Sequence, residues 1–210
     1  DAGFSIVKYT GNGTAGATVG HGLSAAPELF IVKRRNSSYS WVTFVETLGN
    51  TKYLDLNSSN AANTFNFWNN TSPTSTVFSL SSQTGVNGNT DTHIAYCFHS
   101  VDGYQKIGSY TGVSGDIVVE TGFRPRFIMI KNTSDTGNWE VHDSVRYSTI
   151  NTENGLTKRL RWNDNSVEAP FTNTPVFFRD TGFTLDSSVS GNTYVDYDKN
   201  GDTFIYLAIA

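Results

Sequence analysis

The 210-residue chain repeats itself once, and this duplication constrains its fold more than any other feature. Six landmarks recur in the same order in both halves: Tyr9-Thr10-Gly11 with Tyr110-Thr111-Gly112, Gly22 to Lys33 with Gly122 to Lys131, Trp41 with Trp139, Gly49 to Leu54 with Gly155 to Leu160, Phe78-Ser79-Leu80 with Phe183-Thr184-Leu185, and Thr92 to Phe98 with Thr203 to Ile209. We therefore expect two related units, residues 1–102 and 103–210. They are joined without a Pro- or Ser-rich linker, which predicts that they pack closely.

Strand signals are dense in both halves, and helix signals are nearly absent. Short β-branched or aromatic runs are bounded by Gly, Asn, Ser or Pro, and Thr193 to Tyr197 is one of them. Leu29 to Val32 and Phe127 to Ile130 are apolar on both faces, which is typical of central strands. The pattern predicts an all-β protein of two sequence-related, jelly-roll-like β-sandwich halves without significant helix, with Thr203 to Ile209 internal to a sheet.

The composition excludes several classes of protein. Charged residues make up 16% of the chain, the formal net charge is -4, and the longest basic cluster is Lys33-Arg34-Arg35, so we expect no nucleic-acid partner. No apolar run approaches the ~20 residues of a membrane-spanning helix, so we expect no membrane insertion. Cys97 is the single cysteine, which excludes an internal disulfide framework. Its apolar neighbours indicate an inert core thiol.

The duplication also separates scaffold from function, because a residue kept in both copies is expected to serve the shared fold. Trp41 and Trp139 occupy equivalent positions and are predicted to be structural. Trp162 lies where the first copy has Leu56, so we expect it in the core as well.

The sequence contains no complete motif of an enzyme or a cofactor site. Gly11 to Gly16 matches G-x-G-x-x-G, but a dinucleotide site needs a helix start after it, and strand-like residues follow instead. No strand alternates acidic residues as a glycosidase site would, and no H-x-H, H-E-x-x-H or C-x-x-C occurs. We therefore expect a non-enzymatic protein without catalytic residues, cofactor or metal site.

One acidic segment leaves an alternative open. Asp196, Asp198, Asn200 and Asp202 follow the spacing of oxygen ligands in a calcium loop, but Leu207 stands where the closing acid belongs. Asn-Gly between strand-like runs favours a hairpin turn. The hairpin is the preferred interpretation, and calcium binding remains the alternative.

Surface recognition is the remaining class of function. Trp68 lies among Asn66, Asn69 and Asn70, and Tyr39 is a second loop aromatic. Aromatic rings stack on the apolar faces of sugars while amides bond the hydroxyl groups, so these five residues are the candidate ligand-binding set. Ordinary loop packing or a subunit contact is the alternative.

Several stretches together resemble a known family. The most specific are Ile94 to Tyr104 and Thr121 to Pro125, supported by Gly3 to Thr14, Leu48 to Leu54 and Trp68 to Pro73. They are similar to a domain of unknown function in tail fibre or tail-associated proteins of marine bacteriophages, especially cyanophages. The resemblance covers nearly the whole chain. It implies a virion location outside the cell and, by analogy with phage fibres, a homo-oligomer such as a trimer.

The resemblance supplies no binding residues, so function stays open between related hypotheses. The leading one is a tail fibre or receptor-binding domain that contacts a host-surface glycan or protein. The alternative is a virion structural component, such as a capsid decoration or baseplate protein, that binds other virion proteins. A secreted carbohydrate-binding module is the third.

Overall fold

The computed structural model describes residues 2–146, 158–170, 176–187 and 195–210. The chain divides into two compact units, here called unit one and unit two. Unit one comprises Asp1–Asn57 and Ala62–Ser100, and unit two comprises Ser58–Ala61 and Val101–Ala210.

Unit one contains eight strands in two antiparallel sheets. The strands are β1 (Phe4–Thr10), β2 (Ala17–Gly20), β3 (Leu29–Arg34), β4 (Trp41–Val45), β5 (Lys52–Asp55), β6 (Asn63–Thr64), β7 (Val77–Leu80) and β8 (Thr92–Phe98). Six of them form a sheet in the order β1-β8-β3-β4-β5-β6, and β2 pairs with β7. Two short helical turns, a 3-10 turn at Glu46–Leu48 and α1 at Thr84–Asn87, interrupt the strands.

Unit two repeats this topology. Its strands are β9 (Gln105–Thr111), β10 (Ile117–Glu120), β11 (Phe127–Asn132), β12 (Trp139–Asp143), β13 (Lys158–Arg161), β14 (Ala169–Pro170), β15 (Val176–Arg179), β16 (Gly182–Leu185) and β17 (Thr203–Ile209). The large sheet runs β9-β17-β11-β12-β13-β14, which is the order of unit one, and β10-β16-β15 forms the small sheet. The expected all-β class is confirmed, and β17 lies inside a sheet as predicted.

The register also agrees between the units. The equivalent cross-strand pairs are Lys33–Trp41 and Lys131–Trp139, and then Val42–Asp55 and Glu140–Arg161. Because side chains alternate between the faces of a sheet, equal register places equivalent residues on the same face. Residues can therefore be compared position by position between the two units.

A hydrophobic core lies between the large and the small sheet of each unit. In unit one, Phe30 of β3 stacks on Phe44 of β4 and on Phe78 of β7, with ring centroids 4.7 Å apart in both pairs. In unit two, Phe183 of β16 joins the residues of β11 and β17 in one buried cluster. Each core buries apolar area from two sheets, which is the arrangement of a sandwich.

Two local predictions are wrong. In the predicted strand Thr193 to Tyr197, the first two residues lie outside the described ones, and Val195 onward forms a turn. Asn200-Gly201 does not join a hairpin either, because β17 pairs with β9 and β11. The loop instead contacts unit two's Gly112, whose carbonyl accepts a hydrogen bond from the Gly201 N–H at 2.9 Å.

The tryptophan predictions are divided. Trp139 is fully buried, as expected for a structural residue, but Trp162 is 44% exposed. Trp162 directly follows β13, and its ring centroid lies 5.9 Å from that of Phe127. No helix in the described residues is long and apolar enough to cross a membrane.

Candidate functional site

The predicted ligand-binding role of Trp68 is wrong. Its side chain is 1% exposed and its indole Nε1 donates to the carbonyl of Lys52 at 2.9 Å. The rings of Phe30 and Phe44 meet it edge-on, with centroids 4.8 and 5.8 Å away. Since the indole has almost no exposed surface, no sugar can stack on it. Its asparagine neighbours in the sequence suggested a surface position, but Trp68 is a core residue.

The neighbouring asparagines remain at the surface but shape their own turn. Asn69 and Asn70 have φ angles of 54° and 49°, in the left-handed region that asparagine tolerates better than most residues. The side-chain oxygen of Asn66 accepts a hydrogen bond from the backbone N–H of Asn70 at 3.1 Å. These contacts give the three residues a local structural role next to the buried Trp68.

Tyr39 is 36% exposed, yet its ring lies against the backbone of α1. A Cβ added to Gly85 would come within 2.2 Å of the Tyr39 ring, and the Tyr39 carbonyl accepts a hydrogen bond from Lys33. The ring therefore has one open face and packs on a glycine with the other. Its neighbours belong to α1 and β3 rather than to the Trp68 turn.

Two acidic side chains of the segment considered for calcium have protein donors. Asp196 accepts a hydrogen bond from the Asn138 N–H at 2.5 Å, and Asp202 accepts one from Asn132 Nδ2 at 2.7 Å. Throughout the described ranges, no three acidic, histidine or cysteine side chains gather as metal ligands would. The carboxylates fasten this loop to unit two.

A different group of polar side chains occupies the interior of unit two. Glu140 and His142 stand two residues apart on one face of β12, and Tyr197 reaches them from the turn before β17; all three have no exposed surface. The Tyr197 hydroxyl lies 3.2 Å from Glu140 Oε2 and 3.0 Å from His142 Nε2. His142 Nδ1 lies 3.2 Å from the carbonyl of Lys158, which can only accept a hydrogen bond. The three side chains thus form one continuous hydrogen-bonded chain, here called the polar relay.

The polar relay is complete with neutral histidine only when Glu140 holds a proton. When Glu140 is ionised, the Tyr197 hydroxyl donates to Oε2 of Glu140. Nδ1 of His142 must donate to the Lys158 carbonyl, so a neutral imidazole can accept from Tyr197 only when the tyrosine oxygen accepts from the protonated carboxyl group. Burial raises the pKa of Glu140 to about 7 and lowers the pKa of His142 to about 3. Both shifts favour the neutral forms, because burial disfavours charge. A pKa of about 7 makes Glu140 the group of the relay whose protonation changes near neutral pH.

Two arginines connect the polar relay to the surface. Arg159 Nη1 and Arg161 Nε, from β13, both point at Glu140 Oε1, at 3.3 and 2.9 Å. Their side chains are 13% and 26% exposed, whereas the Glu140 side chain is fully buried. Beside them lies an open depression of about 230 Å³, solvent at its mouth included, lined by Arg159, Arg161, Ser166 and Val167.

A buried lysine stands on the neighbouring strand. The Lys131 ammonium donates to the carbonyls of Ser59, Asn132 and Gly137 at 3.2, 2.6 and 2.9 Å. Burial lowers its pKa to about 8. The equivalent Lys33 of unit one remains partly exposed and lies 5.7 Å from the Trp41 ring centroid.

Unit one has apolar residues where unit two has the relay. Val42 and Phe44 stand at the positions of Glu140 and His142 in the shared register. Val86 matches Tyr197, because the hydroxyls of Tyr9 and Tyr110 donate to the carbonyls of Val86 and Tyr197 at 2.7 and 2.6 Å. Sequence reasoning missed these residues, since it sought motifs within one segment. The available signal was polar residues in one copy at apolar core positions of the other.

Comparison with known proteins identifies the family. The chain belongs to the family described as a domain of unknown function, DUF7483. The family model matches residues 1–210, so both units lie within one DUF7483 domain. No curated protein and no solved structure matches the chain. Within this DUF7483 domain, the polar relay and the depression above it form the candidate functional site.

Proposed function

We propose that this chain is a non-enzymatic attachment domain of a bacteriophage particle, which contacts a host-surface glycan or protein through the depression in unit two. The phage location is supported by the resemblance of Ile94 to Tyr104 and Thr121 to Pro125 to tail-associated proteins. The binding role is supported by the asymmetry between the units. A duplicated fold needs only packing at the positions of the polar relay, and in unit two the buried Glu140 of the relay is bonded by two partly exposed arginines.

One observation favours binding over catalysis. Glu140, His142 and Tyr197, whose pKa values are shifted by burial, have no exposed surface, so a substrate cannot touch them. A general acid or base must lie within hydrogen-bond reach of the proton that it transfers. Only the two arginines and the depression walls are available to a ligand. Arginine is the side chain that recognises planar or anionic groups most specifically.

The test is adsorption of the fluorescently labelled chain to cultured marine cyanobacteria. Val167→Trp would fill the depression from an 87% exposed wall position without disturbing the core, and Val145→Trp is the matched control at 85% exposure. We expect the wild type and Val145→Trp to adsorb to a host strain and Val167→Trp to lose adsorption, measured by flow cytometry. Equal adsorption of all three proteins would exclude the depression as the surface that contacts the host cell. Failure of the wild type on every strain, together with its detection at an internal position in phage particles, would favour the structural-component alternative.

A further inference from the structure

We propose that the depression beside β13 holds one anionic group, a carboxylate or a phosphate monoester, between the guanidinium groups of Arg159 and Arg161. This inference rests on the proposed function and names the ligand chemistry of the same surface. The depression is open, and its volume of about 230 Å³ includes the solvent at its mouth. An open depression of this kind can contact one acidic substituent of a larger chain but does not enclose a whole small molecule.

Arg161 carries two Nη groups beside the depression. Its Nε is engaged by Glu140, and Nη1 and Nη2 form longer ion pairs with Asp164 and Asp196, at 3.6 and 3.9 Å. An anionic group in the depression would replace these long ion pairs. Arginine binds carboxylates and phosphates through two parallel N–H donors. The Ser166 hydroxyl on the wall can add another donor.

The charge balance links this site to the proton on Glu140. Arg159, Arg161 and Asp196 are the charged groups that act on Glu140. Protonation of Glu140 makes the charge of this group more positive by one. An incoming anion is therefore stabilised when the carboxylate beneath the arginines has taken up a proton.

The groups that face Glu140 from the surrounding elements are consistent with a coupling between its protonation and anion binding. The turn before β17 contributes Asp196 and Tyr197, while β13 contributes the two arginines. On the other side, β11 places the apolar Ile130 opposite Glu140, and its own strand carries the neutral His142. Desolvation raises the pKa of Glu140 to about 7, the nearby arginines lower it, and Asp196 raises it. Glu140 is thus the group of the polar relay that titrates near neutral pH, and anion affinity falls as pH rises through that value.

The experiment is titration of the full chain with sodium D-glucuronate and, separately, with inorganic phosphate, followed by NMR of the arginine Nε–H and backbone signals. Glucuronate serves for the pH comparison because its carboxylate is ionised at both pH 6 and pH 8. If only the protonated form of Glu140 binds, affinity falls about tenfold between these pH values. Binding of glucuronate alone identifies a uronic-acid source, and binding of phosphate alone identifies a phosphoryl source.

The variants separate binding from folding. Glu140→Gln mimics the neutral acid, so it should bind at both pH values with the affinity that the wild type shows at pH 6. Val167→Trp should no longer show changes in the arginine NMR signals when the anion is added, and Val145→Trp should still show them. If neither anion perturbs the signals of Arg159 and Arg161, or if affinity is equal at both pH values in the wild type, the inference is overturned. If the wild type still adsorbed to cells in that case, the proposed attachment function would be kept, and its ligand would be neutral rather than anionic.

Discussion

Unit one and unit two have the same strand order and the same register, but their interiors differ in chemistry. Val42, Phe44 and Val86 make an apolar contact in unit one, where unit two has Glu140, His142 and Tyr197. Burial of a polar group costs free energy unless the group is hydrogen-bonded, and burial of a charge also requires a partner of opposite charge. Unit two meets that condition with a continuous relay and two arginines. The comparison shows that topology and register are compatible with two different cores, and that function is best sought where the copies diverge.

The largest expected effect tests whether the apolar core of unit one depends on its buried indole. Trp68→Ala should lower the free energy of unfolding by about 4 kcal/mol, because it removes a fully packed side chain and leaves a cavity. Trp162→Ala, at a 44% exposed position of unit two, should cost less than about 1 kcal/mol. Urea unfolding followed by circular dichroism measures both. Similar losses would show that Trp68 is not a core residue.

The polar core of unit two should make stability depend on pH. The pKa of Glu140 is about 7 in the folded protein and close to 4.5 when unfolded, so folding binds its proton more tightly. Stability from this group is fully present below pH ~4.5 and is lost as pH rises to ~7, by about 3 kcal/mol.

His142 contributes with the opposite sign, because its folded pKa is about 3 and its unfolded pKa is 6.5. Its contribution is present above pH 6.5 and is lost as pH falls toward 3. The difference between wild type and Glu140→Gln isolates the glutamate, since both proteins contain His142. In thermal unfolding between pH 4 and pH 8, the stability of the wild type relative to Glu140→Gln should fall as pH rises. Parallel stability curves for the two proteins would show that the pKa of Glu140 is not raised.

A third prediction concerns a constraint that both units share. A Cβ on Gly11 would lie 2.3 Å from the carbonyl of Gly88, and one on Gly112 would lie 2.1 Å from the carbonyl of Lys199. Gly11→Ala and Gly112→Ala should each cost about 2 kcal/mol, because a backbone oxygen cannot rotate away. Gly115→Ala, where no atom lies within 4 Å, is the control. If the two substitutions lowered the free energy of unfolding by different amounts, the equivalent backbone contacts of the two units would differ in strength.

The smallest effect is expected at Cys97, whose equivalent in unit two is Ala208. Both side chains are fully buried, and burial raises the pKa of the thiol to about 12. Cys97→Ala should cost about 1 kcal/mol, since unit two already accommodates the smaller side chain. A thiol reagent should label the wild type only after unfolding. Rapid labelling of the native protein would place the thiol at the surface.

The sequence by itself determined the β class, the duplication and the central position of the last strand, because these follow from the alternation and order of apolar residues along the chain. It also identified Trp139 as a core residue through its counterpart Trp41. Tertiary structure decided which side chains meet. Trp68 has amide neighbours in the sequence and phenylalanine neighbours in space, while Glu140, His142 and Tyr197 come from two segments that only the fold brings together. Local pattern fixes the secondary structure, but burial and pKa depend on contacts between residues that are distant in the chain.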